Sequence, residues 1–451
     1  MLEVLKDRTY RHLFLAQVIA LIGTGLATVA LGLLSFELAG ADAGAVLGGA
    51  LAIKMIAYIG VGPVVNAFVD RLPRRAFLVS MDLVRAGVAL TLPFVTEIWQ
   101  TYLLIFLLQS ASAAFTPTFQ AAIPDILPDE KRYTYALSLS RLAYDMESLI
   151  SPLLAAALLG IVGFHWLFGG TVIGFLASAA LVASVAVPQP KQTERKGGIY
   201  ARTTRGARIY LKTPRLRGLL ALNLSAAAAG AMVIVNTVVY VRTLLGRSNN
   251  DVAIALAMFG GGSMLAAFLL PRILERMGDR KVMLGAATVL FAALVGMSML
   301  TIAPDVDRWV VLLVLWPVLG IGYSSVLTPS GRLLRRSASA EDLSSVIAAQ
   351  FALSHLCWLV TYSIAGSLGA LIGIPWTLGA LAVVALAGVV AAMVQWPASD
   401  PDQLAHLHDD LREEDPHFSK GVRLAAGKGH IHAFVIDDLH REWPMGDPSR
   451  G

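Results

Sequence analysis

A chain of 451 residues that is 56% hydrophobic and only 15% charged, with a mean hydropathy of +0.66, cannot cover a water-facing surface and belongs in a bilayer. Its formal net charge of +5 comes from basic loops between apolar runs, which gives no case for a nucleic-acid partner. Its one cysteine, Cys357, excludes an intramolecular disulfide and thiol zinc clusters.

Twelve apolar runs of about 20 residues or more, each enough to cross roughly 30 Å of hydrocarbon, follow one another along the chain. Six are expected near 12–38, 44–68, 76–96, 100–123, 134–161 and 164–187, and six near 217–241, 251–271, 281–303, 308–329, 342–372 and 375–396. The first outruns the roughly 7–15 apolar residues of a cleaved signal, so it is expected to be a retained helix. The predicted fold is an all-α membrane protein: a six-helix bundle over 1–188, a basic linker over 189–216, a second bundle over 217–397 and a polar tail over 398–451.

Lysine and arginine set the orientation, because positively charged loops stay on the cytoplasmic side. Lys6, Arg8 and Arg11 precede the first run, Arg71, Arg74 and Arg75 follow the second, and Lys131 and Arg132 follow the fourth. The linker, the stretch from Arg272 to Lys281, and Arg332, Arg335 and Arg336 continue the same side. Both termini are therefore expected in the cytoplasm of a cell with a plasma (inner) membrane location. Opposite loops such as AGADAGA carry almost no charge, Arg242 and Arg247 being the main exceptions.

The two sets of six carry matching loops, the mark of an internal repeat. VDRLPRR after the second run aligns with LERMGDR after the eighth, which superimposes Asp70-Arg71 on Glu275-Arg276 and Arg75 on Arg280. Thr116-Pro117 precedes Asp129-Glu130 at the spacing by which Thr328-Pro329 precedes Glu341-Asp342. An acid-arginine pair, a turn residue and further arginines between runs two and three resemble motif A of the major facilitator superfamily, GxxxDRxGRR, with Asn66 and Pro73 in place of its glycines. The stretch PTFQAAIPDILPDEKRYTYALSLSRLAYDMESLISP is similar to the branch of bacterial exporters that includes enterobactin and macrolide efflux proteins. Run four, LLQSASAAFTP, lacks the buried arginine that many proton-coupled antiporters of the superfamily carry.

The resemblance implies a gate: a carboxylate at Asp70, with Arg71, Arg74 and Arg75 beside it, accepting from backbone N–H groups at the start of run eleven, near Asp342 and Leu343, and latching two bundles in one state. Glu275, Arg276 and Arg280 are its second copy. Topology signalling alone would explain the arginines but not Asp70.

Ionisable residues inside a membrane are costly and become functional candidates by default. Lys54 lies roughly 15 Å into its run at 1.5 Å per residue. Asp145 and Glu147 lie roughly 18–22 Å from the other end of theirs, and Arg141 shares a helix face with Asp145. A single network of Lys54 with both acids is expected. One reading has Lys54 and one acid neutralise each other for packing; the other has an acid, Asp145 before Glu147, exchange its partner for a proton or a cationic substrate. His355 offers an imidazole that could relay protons or simply pack, and Asn223, Asn236, Tyr323 and Gln350 are candidates to line a cavity. Ser151, Pro152, Ala155 and Ala156 stand where antiporter-type relatives have GPxxGG, and Gly260-Gly261-Gly262 permits close helix approach.

Six of the nine histidines fall beyond Pro397. His406, His408, His430, His432 and His440 sit beside acids, yet their spacing matches no structural zinc module, so the spacing assigns no metal site. HAFVID is expected to be strand-like. The absence of a phosphate-binding loop argues against ATP coupling. The function expected is secondary transport by alternating access, with no enzymatic step and no cofactor: proton-coupled export of small amphipathic organic molecules of drug or siderophore type. Two alternatives are an exporter of divalent metal cations with a histidine-containing tail and a transport-inactive membrane receptor.

Overall fold

The computed structural model describes residues 2–39, 43–69, 72–159, 161–189, 199–303, 305–401, 403–407, 422–423 and 429–444. In the first part of the chain these form α1 (Arg8–Ala39), α2 (Ala43–Val69), α3 (Arg74–Thr91), α4 (Ile98–Ile126), α5 (Glu130–Leu159) and α6 (His165–Ala183). The second part forms α7 (Ile199–Lys212), α8 (Pro214–Val239), α9 (Asn249–Arg276), α10 (Asp279–Ile302), α11 (Arg308–Leu327), α12 (Ser330–Ser337), α13 (Leu343–Leu371) and α14 (Ile374–Gln395). Every run expected to span is helical. Among the described residues, ten stretches, in α1, α3, α4, α6, α8, α9, α10, α11–α12, α13 and α14, are long and apolar enough to cross a membrane. The other two long helices are α2, whose shorter apolar part is Ala52–Val65, and α5, which Arg141, Asp145 and Glu147 interrupt.

Local chemistry fixes where several helices begin. Ser248 accepts from the Asp251 amide while Asp251 accepts from the Ser248 amide, and Glu97 and Gln100 make the same reciprocal cap on α4. Asp307 accepts from the amides of Trp309 and Val310 at the start of α11.

Packing follows one scheme in both sets of helices. In the first, α1 packs on α5 and α6, α3 on α4 and α6, and α2 on α4. In the second, α8 packs on α13 and α14, α10 on α11 and α14, and α9 on α11. The partners correspond one to one. Contacts between the sets run through α2–α13 and α5–α9, which the same correspondence interchanges. Close approach depends on missing side chains: a Cβ on Gly262 would collide with the Pro317 backbone and one on Gly320 with the Phe259 backbone, whereas Gly261 faces open space.

Two elements lie outside the expected helical spans. The basic linker contains a helix, α7, lying against α13 and α2. The tail forms a small antiparallel sheet of β1 (Gln403–Leu407), β2 (Val422–Arg423) and β3 (Gly429–Ala433), in the order β1-β3-β2. The all-α expectation is thus corrected for the tail, and of the HAFVID stretch expected to be strand-like only His432 and Ala433 lie in β3, with Phe434 buried just beyond it.

Candidate functional site: intramembrane charges between two helix sets

Among the described residues, six charged side chains lie well inside the helices of the first set: Lys54 on α2, Asp82 and Arg85 on α3, and Arg141, Asp145 and Glu147 on α5. The network expected of Lys54 with both acids divides instead. Lys54 is coupled electrostatically to Glu147, while Asp145 forms an ion pair with Arg141 one turn earlier. Asp82 and Arg85, which sequence reasoning passed over, form a third pair. Among these six, three cations and three anions balance, and the arginine one turn earlier that the sequence offers as a partner for Asp145 is the one it pairs with.

Each pair has its own surroundings. Asp82 is fully buried and accepts from Ser178 Oγ at 2.8 Å, and Arg85 is sandwiched by Phe115 and Phe175 with ring centroids 4.2 and 4.5 Å away. This pair is stapled within its own set. Their signal in the sequence was two opposite charges three apart inside an otherwise apolar run, a spacing that puts both on one helix face.

The Arg141–Asp145 pair bridges the sets. Asp145, 3% exposed, accepts from Ser263 Oγ of α9 at 2.7 Å, and Arg141 Nε donates to the same hydroxyl at 3.3 Å. The Arg141 guanidinium also stacks 4.7 Å from the Tyr323 ring of α11. Tyr323 is therefore part of an interface between the sets.

Lys54 and Glu147 have a looser environment. The Lys54 ammonium lies 5.6 Å from the Tyr58 ring centroid, and Tyr58 meets His355 of α13 edge-on at 4.7 Å. His355 Nδ1 donates to the Phe351 carbonyl of its own helix at 2.6 Å, so its Nε2 is the ring nitrogen left to exchange a proton. A Cβ on Gly25 of α1 would lie 2.9 Å from Glu147 Oε1 and collide with Ser151, so this glycine makes room for the acid. Toward the arginine-rich end, an apolar cleft between α2 and α13 is lined by Ile59, Pro63, Ala348, Ala352 and Leu356.

The remaining polar candidates are spread out. Asn223 donates to the Leu219 carbonyl at 2.9 Å and Asn236 to the Ala365 carbonyl at 3.1 Å, both nearly inaccessible, so they serve the packing of α8. Gln350 accepts from Tyr210 of α7.

Of the gating residues, Asp70 and Arg71 lie outside the described residues. Arg74 pairs with Asp125 at 2.7 Å and donates to the Pro188 carbonyl at 3.0 Å, and Arg75 donates to the Ala183 carbonyl, so both tie their own set together. Glu275, beside Arg276, reaches across to Lys131 at 2.8 Å, and Arg280 donates to the Trp396 carbonyl at 2.9 Å. A second crossing joins Arg332 to Glu130 at 2.7 Å and to Thr134 at 2.8 Å, with Asp279 steadying the guanidinium at 3.1 Å. Among the described residues, the polar bridges between the sets thus lie at the arginine-rich end or level with Asp145.

The start of α13 is clamped by an unforeseen residue. Arg205 of α7 holds both oxygens of Asp342, at 2.6 and 2.9 Å, and reaches Asp438 of the tail at 2.9 Å. The hydrogen bonds to Asp342 raise the Arg205 guanidinium above its ordinary value despite partial burial. The neighbouring Gly206 presses against the Ser345 carbonyl, where any Cβ would collide. Gly206→Val should therefore lift α7 from α13 at an overpacking cost of about 1–3 kcal/mol, read as faster limited proteolysis of the linker. Wild-type cleavage rates would show that the contact is dispensable.

The sequence profile of the Major Facilitator Superfamily matches residues 13–246 and 219–417. Macrolide efflux protein A of Streptococcus pyogenes is 26% identical over 156 residues, 32% of this chain and 38% of that protein. The Enterococcus faecalis protein of the same name is 25% identical over 156 residues, covering 47% of its length. The chain thus matches less than half the length of these curated relatives. A bacterial homologue of the iron transporter ferroportin, in an outward-facing state, superimposes with a TM-score of 0.71 at 15% identity over 86% of this chain and 98% of its own. A proton:xylose symporter superimposes with a TM-score of 0.70 at 13% identity over 88% and 96%. By the profile that spans most of its length and by the fold it shares with these transporters, the chain belongs to the Major Facilitator Superfamily.

Proposed function

We propose that the protein is a secondary exporter of small amphipathic organic molecules driven by proton exchange, with Glu147 and Lys54 as the coupling pair. One observation carries this reading: an acid and a lysine share the membrane interior without the bridging that fixes Asp145, and His355 of the opposite helix set meets the Tyr58 ring over which the lysine lies. Such a pair can trade its internal partner for a proton as the two sets move.

The matched packing of the two helix sets supports a twelve-span, two-repeat arrangement with bundles over 1–188 and 217–397. The basic loops support a plasma-membrane location with the arginine-rich end and both termini in the cytoplasm. Alternating access then means opening that end by breaking Lys131–Glu275 and Arg332–Glu130, while the Asp145–Ser263 contact deeper in the membrane serves as the pivot. The substrate class rests on the likeness to macrolide efflux proteins over about a third of the chain.

Purified protein in liposomes with an imposed pH gradient tests the reading. Efflux of a macrolide or a cationic dye should accelerate with the gradient and collapse with a protonophore, and substrate addition should release protons. Substrate flux indifferent to both treatments would overturn proton coupling.

A further inference from the structure

The tail sheet gathers three histidines that are far apart in sequence. Leu404 pairs with His432 and His406 with His430 across β1 and β3, so residues 406 and 432 lie diagonally on one face of the sheet. The turn after β3 returns His440 to the same place. The ligand nitrogens of His406, His432 and His440 lie within 4.8 Å of one another, with His406 and His440 buried. We propose that these three side chains bind one late first-row divalent cation, such as zinc, at a site independent of the transport pathway.

Ring orientation argues for a cation. His406 Nδ1 lies 3.0 Å from the Leu404 carbonyl, His432 Nδ1 2.7 Å from the Ala433 carbonyl, and His440 Nδ1 2.9 Å from Asp437 Oδ1. Each of these oxygens accepts, so Nδ1 donates in all three rings and Nε2 is the nitrogen through which each ring can take a metal ion. The Nε2 atoms of His406 and His440 stand 3.0 Å apart, where two lone pairs repel unless a positive charge lies between them. Two ligands at 2.0–2.1 Å from a tetrahedral ion are about 3.3 Å apart, a few tenths of an ångström from what is found.

The surroundings are those of a metal centre. Asp437 fixes His440 through its side chain and backbone amide, the carboxylate–histidine relay that orients metal ligands. Phe434 packs edge-on against His406 and His440 at 5.0 and 4.7 Å and against Trp443 at 5.1 Å, shielding one side from water. Three imidazoles without a carboxylate ligand select zinc, copper, nickel or cobalt over magnesium or calcium. The segment is also pinned: Lys212 donates to the Arg441 carbonyl at 2.8 Å, and Arg215 pairs with Asp400 at 3.1 Å.

The test uses the full chain in detergent without a polyhistidine tag. After incubation with zinc and desalting, about one equivalent should remain, and cobalt should give the intense visible bands of a tetrahedral site that magnesium and calcium do not displace. His406→Gln and His440→Gln should each weaken cobalt affinity by about 100-fold or more, and Asp437→Asn by about 10–100-fold, the range for a lost ligand-orienting partner. Unfolding temperatures measured without metal identify any variant that fails to fold, and Asp437→Asn, which keeps the ligands and their volume, then carries the comparison. Zinc lost on desalting with no cobalt bands, the behaviour of two histidines sharing only a proton, would overturn the proposal. So would wild-type affinity in the histidine variants.

Discussion

Glu147→Gln is expected to reduce gradient-driven efflux to the level of protein-free liposomes while leaving substrate exchange without a gradient measurable. The amide keeps the volume beside Gly25 and removes the carboxylate proposed to exchange its partner for a proton. Lys54→Met removes the other partner and leaves an uncompensated buried carboxylate, a change that costs about 3–5 kcal/mol in comparable pairs. The double variant Lys54→Met/Glu147→Gln should recover most of that stability but none of the coupling. Separation of the two readouts distinguishes coupling from packing: if Glu147→Gln still links flux to the pH gradient as wild type does, the pair is structural and the proton path lies elsewhere.

Arg141→Met should be strongly destabilising. It removes the arginine paired with Asp145, 3% exposed, while the Ser263 hydroxyl still donates to the carboxylate, a loss of about 3–5 kcal/mol. It also removes the stacking on Tyr323. Ser263→Ala deletes one hydrogen bond to the same carboxylate and should cost about 1.5–3 kcal/mol, as bonds to charged groups do. Cys357 is buried, so thermal unfolding in detergent can be followed by its labelling with a thiol-reactive dye. Equal midpoints for Arg141→Met and wild type would remove this pair as a link between the two helix sets.

The sequence displayed the positions of these charges better than their partners. Hydropathy and rise per residue placed Lys54, Asp145 and Glu147 at depth, and the four-residue interval joined Arg141 to Asp145, because both depend on one helix alone. Ser263 and Tyr323 meet that pair only through packing of α5 against α9 and α11, which no local pattern encodes. Asp82 and Arg85 were hidden by their own neutrality: a short-range pair scarcely disturbs an apolar run. In the tail, histidine intervals along the chain carried no information, since strand pairing rather than spacing chooses which three converge. Arg205 read as one more basic linker residue, although its guanidinium gathers two carboxylates from distant segments.

That gathering makes assembly ordered in time. Arg205, Asp342 and Asp438 leave the ribosome in that sequence, and at about 5–20 residues per second the tail aspartate follows the helix aspartate by roughly 5–20 s. During this interval the linker arginine holds the start of α13 through one carboxylate. The second arrives only after α14 has been made, so the clamp is completed on a bundle whose membrane helices have all been synthesised.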